Sequence, residues 1–101
     1  MKKDFIKNDL IEKAYELGFV SYFGKMFSVN KDCYYLWMCD LQKWLIEKYK
    51  IYAYVIVSSA GLFPEIFCKN RNITIDKIYS GDEYIKCLEI GLQEAIKLIN
   101  Q

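Results

Sequence analysis

The stretch NKDCYYLWMCDLQKWLIEKYKIYAYVIVS, residues 30–58, sets a helical pattern directly against a strand pattern. Over residues 31–49, Tyr34, Trp37, Met38, Leu41, Trp44 and Leu45 recur at helical spacing and form one apolar stripe. Asn30 is suited to cap this helix, with Lys31 and Asp32 opening it. Over 51–58 the period changes to two. Ile51, Ala53, Val55 and Val57 point one way, and Tyr52, Tyr54 and Ile56 the other. A long helix running straight into a β-branched, aromatic strand predicts an α+β protein.

The helix carries more apolar surface than one sheet contact needs. Tyr35, Cys39, Ile46 and Tyr49 form a second stripe beside the first. Together the stripes span roughly 220° of the helix, whereas a surface helix needs about 100° or somewhat more. Two accounts stand open. Either the first helix and the 19–29 segment cover the second stripe, or another chain does, and a homodimer is the commonest form of the latter.

Outward from this stretch the remaining elements follow from breakers and caps. Ile6, Leu10, Ala14 and Leu17 predict a first helix over 4–17, with Gly18 in the left-handed position just past its end. FVSYFGKMFSV (19–29) reads as a strand turning at Gly24 or as a loop over the core. FPEIFCK (63–69) reads as a strand returning antiparallel, and Pro64, lacking a donor, belongs at its start or on a sheet edge. ITIDKIY (73–79) is a weaker third strand or an extended crossing.

The last helix, 81–100, is announced by Ser80 and Glu83 in the S-x-x-E capping spacing. Tyr84, Leu88, Leu92, Ala95 and Ile99 form its stripe, while Lys86, Glu89, Gln93 and Lys97 are assigned to water. Gly91 interrupts the apolar side, which predicts close packing of helix against sheet. The expected architecture is two-layered: an antiparallel sheet of about three strands with three helices, in the order α-(β)-α-β-β-(β)-α, as a single domain over 1–101.

Bulk properties narrow the function. A chain of 101 residues, 53% hydrophobic and 17% aromatic with five glycines and one proline, excludes disorder and collagen-like repeats. Net charge is +1 at 27% charged residues, without the clustered basic excess of a nucleic-acid binder. Apolar runs are short, and KKDFIKNDL near the start is too charged for a signal peptide, so the chain is expected in the cytoplasm with no membrane role. The four cysteines are then reduced thiols.

Chemistry has little to work with. No histidine is present, which removes the commonest general base and metal ligand together. Cys33, Cys39, Cys68 and Cys87 lack the paired spacing of zinc ligands, and each reads as a small buried hydrophobe. A reactive thiol at Cys68 or Cys87 would need an activating positive field, and Lys86 with Glu89 beside Cys87 supplies none. Glu12 and Glu16 share a helix face but read as solvated, and no glycine pattern forms a phosphate loop. No catalytic, cofactor-binding or metal residue is assigned.

Two resemblances bear on this reading. The order helix 31–49, strand, strand, strand, helix 81–100 resembles that of double-stranded-RNA-binding domains. That resemblance implies a lysine cluster opening the last helix, where this chain has the acidic SGDEY, 80–84. LQKWLIEKY (41–49) before a β-hairpin, and YSGDEYIKCLEIGLQEAIKLI (79–99) at the end, are similar to small uncharacterised proteins of gut-bacterial and phage type. That family implies packing and capping motifs and no transferable catalytic residue.

The leading expectation is a small non-catalytic binding or scaffolding protein, self-associating or meeting a protein partner. Its aromatic contact region is expected at Tyr35, Cys39, Ile46, Tyr49, Tyr52 and Tyr54. The alternatives are a nucleic-acid-associated module and a motif-poor enzyme.

Overall fold

A computed structural model describes residues 9–19 and 31–99. The Asn30 cap, the start of the first helix before Asp9 and the 19–29 segment beyond Phe19 lie outside the described residues. Among the described residues there are three α-helices, α1 (Asp9–Glu16), α2 (Lys31–Tyr49) and α3 (Tyr84–Ile99). They pack with a three-stranded antiparallel sheet of β1 (Tyr52–Ser58), β2 (Gly61–Cys68) and β3 (Arg71–Thr74), in spatial order β1-β2-β3. The α+β architecture read from the sequence is the one observed.

Local chemistry sets the ends of these elements. After α1, Gly18 takes φ 100°, and the Phe19 N–H reaches back to the Ala14 carbonyl at 3.0 Å while Gly18 N–H bonds Tyr15 at 3.0 Å. That pair of bonds is the Schellman closure, and the apolar residue it turns inward is the buried Phe19. A single 3₁₀ turn, Gly81–Glu83, leads into α3, and the Glu83 carboxylate accepts the Ser80 backbone N–H at 3.0 Å, as the capping spacing predicts.

The strands form a meander with two tight turns. Lys69 (φ 52°) and Asn70 (φ 63°) are both left-handed, the conformation a two-residue hairpin turn favours because it matches strand twist. The β1–β2 register pairs Ala53 with Ile66, Val55 with Pro64 and Val57 with Leu62. This face is covered by the helices: α3 lies along β1 and β2, and α2 meets β1. Ala53, Leu62, Pro64, Ile66 and Cys68 are buried there, and Leu10, Ile11, Ala14, Leu41, Leu45, Leu88, Leu92 and Ile96 fill the space from the helix side. Each such aliphatic side chain contributes about 2 kcal/mol on burial. A Cβ at Gly91 would sit 3.3 Å from the Pro64 Cβ, so the glycine marks the close approach of α3 to the sheet.

Two expectations need correction, and the open choice at 73–79 is resolved. Pro64 lies in the middle of the central strand, and β2 starts at Gly61 rather than at 63. The proline fits because its missing N–H faces the place where the partner strand departs. β3 pairs with β2 only as far as Glu65↔Thr74; Pro64 then accepts the Ile75 N–H at 3.1 Å, and the chain rejoins β2 at Tyr79, opposite Leu62. Of 75–79, Ile75 and Tyr79 bond to β2 and the residues between them cross away from it, so residues 73–79 are not one strand. Tyr84, assigned to the apolar stripe of the last helix, is exposed, with its ring edge-on to Tyr35 at 6.2 Å. Position 84 opens α3, a full turn beyond the sheet contact.

Tyr79 is buried with Leu62 and Cys87, and its hydroxyl finds no hydrogen-bond partner among the described residues. Burial also pushes its phenol pKa up. An unmade hydrogen bond on a buried hydroxyl costs about 1–3 kcal/mol. Tyr79→Phe removes the orphan group and keeps the ring, and it is expected to raise stability by about 1 kcal/mol in urea unfolding. A loss of similar size would show that the hydroxyl is satisfied in solution.

Candidate interaction surface

Alternation in β1 and β2 puts a second set of side chains on the face turned away from the helices. Tyr52 pairs with Phe67, Tyr54 with Glu65 and Ile56 with Phe63, and β3 adds Asn72 and Thr74. No described helix crosses this face. Tyr52 is 40% and Phe67 37% exposed, their rings tilted together at 6.1 Å. Monomeric proteins rarely leave contiguous aromatic surface open, so such a patch is a candidate contact region.

Glu65 lies within this apolar face yet is only 9% exposed. Its carboxylate accepts the Tyr54 hydroxyl at 2.6 Å and the Thr74 hydroxyl at 2.8 Å, which compensates the charge for lost water. The same bond pushes the Tyr54 phenol pKa up. Glu65 thereby ties the three strands together on their open side. Its residue type does not mark it in the sequence, although F-P-E-I-F places it by alternation between Phe63 and Phe67.

The six residues expected to share one contact region do not share one. Tyr52 and Tyr54 lie together on the open sheet face. Tyr35, Cys39, Ile46 and Tyr49 are half-buried along α2, in the helix layer. Tyr35 meets Tyr84, and its phenol pKa is pushed up by the hydrogen bond to Cys39 and the neighbouring Tyr84. Tyr49 packs edge-on against Trp44 at 5.5 Å, with Lys48 over both rings. Phe19, just past α1, packs on Trp37 and Trp44 of the first stripe of α2.

A cavity of about 270 Å³ opens at one end of the molecule, lined by Tyr49, Ile51, Cys68 and Leu98 with Lys69 and Arg71. α2 and α3 both end there, at Tyr49 and Ile99, so their dipoles place negative partial charge beside the two cations. Elsewhere the thiol of Cys87 is pushed up by burial, away from the thiolate a nucleophile needs. Among the described residues no three Cys, Asp or Glu side chains gather as a metal site, and no helix is long and apolar enough to cross a membrane.

Comparison of the chain with protein-family models, curated proteins and solved structures finds no match.

Proposed function

We infer that this chain is a small non-catalytic scaffolding protein that works as a homodimer, its copies meeting along the side of the sheet that the helices leave bare. One observation carries the reading. The strand forming that side, β1, is apolar and uncharged along its outer edge, where Val57 is 75% exposed. Such a surface in water is a standing incentive to associate. The acidic opening of α3, with Asp82 and Glu83 in its lead-in turn, weighs against phosphate contact there. The raised Cys87 thiol and the lack of histidine weigh against a nucleophilic enzyme.

Light scattering over about a hundredfold range of concentration tests the reading. The expected mass is twice the 12.0 kDa of one chain, holding at the upper concentrations. A mass fixed at 12.0 kDa throughout removes the homodimer.

A further inference from the structure

We propose that two copies pair antiparallel along β1, across a twofold axis at Ile56, joining their sheets into one. The proposal rests on the self-association reading above and gives it a geometry.

Ser58 pairs with Gly61 around the two-residue turn Ser59–Ala60. In a turn of that length the closing pair exchanges hydrogen bonds, so Ser58, Ile56 and Tyr54 direct their main-chain groups at β2. Val57, Val55 and Ala53 direct theirs outward. Gln42 confirms the direction, because its Nε2 donates to the Ala53 carbonyl at 2.6 Å from outside the sheet. Beyond that cap, among the described residues, nothing is bonded to the outward groups of Val55 and Val57.

The two edges of this sheet are treated unequally. β3 has four residues, lies between Lys69 and the Asp76–Lys77 pair, includes Arg71, and breaks away from β2 after Thr74. Shortness, charge and departure are the devices by which natural sheets blunt an edge. β1 has none of them: from Tyr52 to Ala60 there is no charge, no proline and no glycine. Val57, on its helix-side face, is 75% exposed.

The chemistry of this edge selects its own copy as the occupant. A neutral β-branched edge offers a charged segment no counter-charge, whereas an identical strand meets it neutral against neutral. The Gln42 cap then selects the register. An axis at Val55 would require the Ala53 carbonyl, which Gln42 holds. An axis at Ile56 needs only Val55 and Val57, each bonding the other in the second copy. Val57 would then pack on the partner's Val55, Ile56 on the partner's Ile56, and Tyr54 beside the partner's Ser58. Pairing of this kind is isologous and closes, since the outer edges that remain are both the blunted β3. The two open aromatic faces become one continuous surface.

Two variants test the geometry alongside light scattering. In Ile56→Cys, the twofold places the two new sulfurs on a non-hydrogen-bonded pair with Cα atoms about 4.5 Å apart, inside disulfide reach. Oxidation is expected to give a 56–56 cross-link by peptide mass spectrometry. Ser58→Cys, with its two copies roughly 13 Å apart in this register, is expected to give none. Val57→Lys, at an exposed site, is expected to weaken the dimer by about a hundredfold or more by burying an unpaired charge. Its fold is checked by circular dichroism. A dimer with neither the 56–56 link nor sensitivity at Val57 overturns the β1 geometry and leaves self-association standing. A chain that stays monomeric overturns both.

Discussion

Leu92→Ala is expected to cost about 3–4 kcal/mol of folding stability, within the usual range for a fully buried leucine. For a domain of this size that lowers the melting temperature by about 15 °C or more. Leu92 is wholly inaccessible and sits on α3, the one element in contact with β1, β2, α1 and α2 together. Truncation leaves a cavity that no single neighbour can fill, because collapse in one direction opens a gap in another. Ile85, half-buried at the start of the same helix, provides the comparison. Ile85→Ala is expected to cost under about 1.5 kcal/mol, since water already reaches part of it. Equal losses at the two positions, in urea unfolding or calorimetry, would mean that α3 does not occupy the centre.

How much of this arrangement the sequence discloses depends on whether a feature is local. The helix 31–49 and the strand after it are legible because stripe and alternation abut within one stretch. The last helix is legible through Ser80 and Glu83, and Gly91 even announces the closeness of its sheet contact. Pro64 misleads for a physical reason. A missing donor excludes proline only where a neighbouring strand needs that donor, and where β3 leaves β2 is a tertiary fact. A strand start at Pro64 also implies a longer hairpin loop, which masks the register that sets Phe63 opposite Ile56 and Phe67 opposite Tyr52.

The candidate surface divides along the same line. Tyr52 and Tyr54 share a face by alternation alone, so their pairing could be read directly. Tyr35, Cys39, Ile46 and Tyr49 lie near them in sequence, but which face of the sheet α2 docks on is settled by packing. Capping of Ala53 by Gln42 has no sequence signal. It depends on α2 turning back beside the strand it precedes, and Lys50, at φ 58°, makes that reversal.

Gly61→Ala is expected to destabilise the protein by about 3 kcal/mol, and the reason lies on both sides of the residue. Its φ of 138° is a conformation that residues with a Cβ rarely adopt. An added Cβ would also lie 2.5 Å from the Tyr79 carbonyl oxygen and 2.8 Å from Ile78 Cγ2. The Ile78 side chain is exposed and can turn aside. The Tyr79 carbonyl cannot, because it accepts the Leu62 N–H at 2.7 Å while the Tyr79 N–H donates to Leu62 at 2.7 Å. Relief of the clash therefore breaks either the hairpin turn or the bridge that returns the chain to β2. Gly18 separates the two contributions, since its φ is also positive, at 100°, but a Cβ there meets nothing within 4 Å among the described residues. Gly18→Ala should show the backbone cost alone, about 1–2 kcal/mol. A Gly61→Ala loss no larger than that, measured under the same conditions, would mean that Tyr79 does not close over the hairpin. The excess expected at Gly61 is the strength with which the 75–79 excursion is held to the central strand.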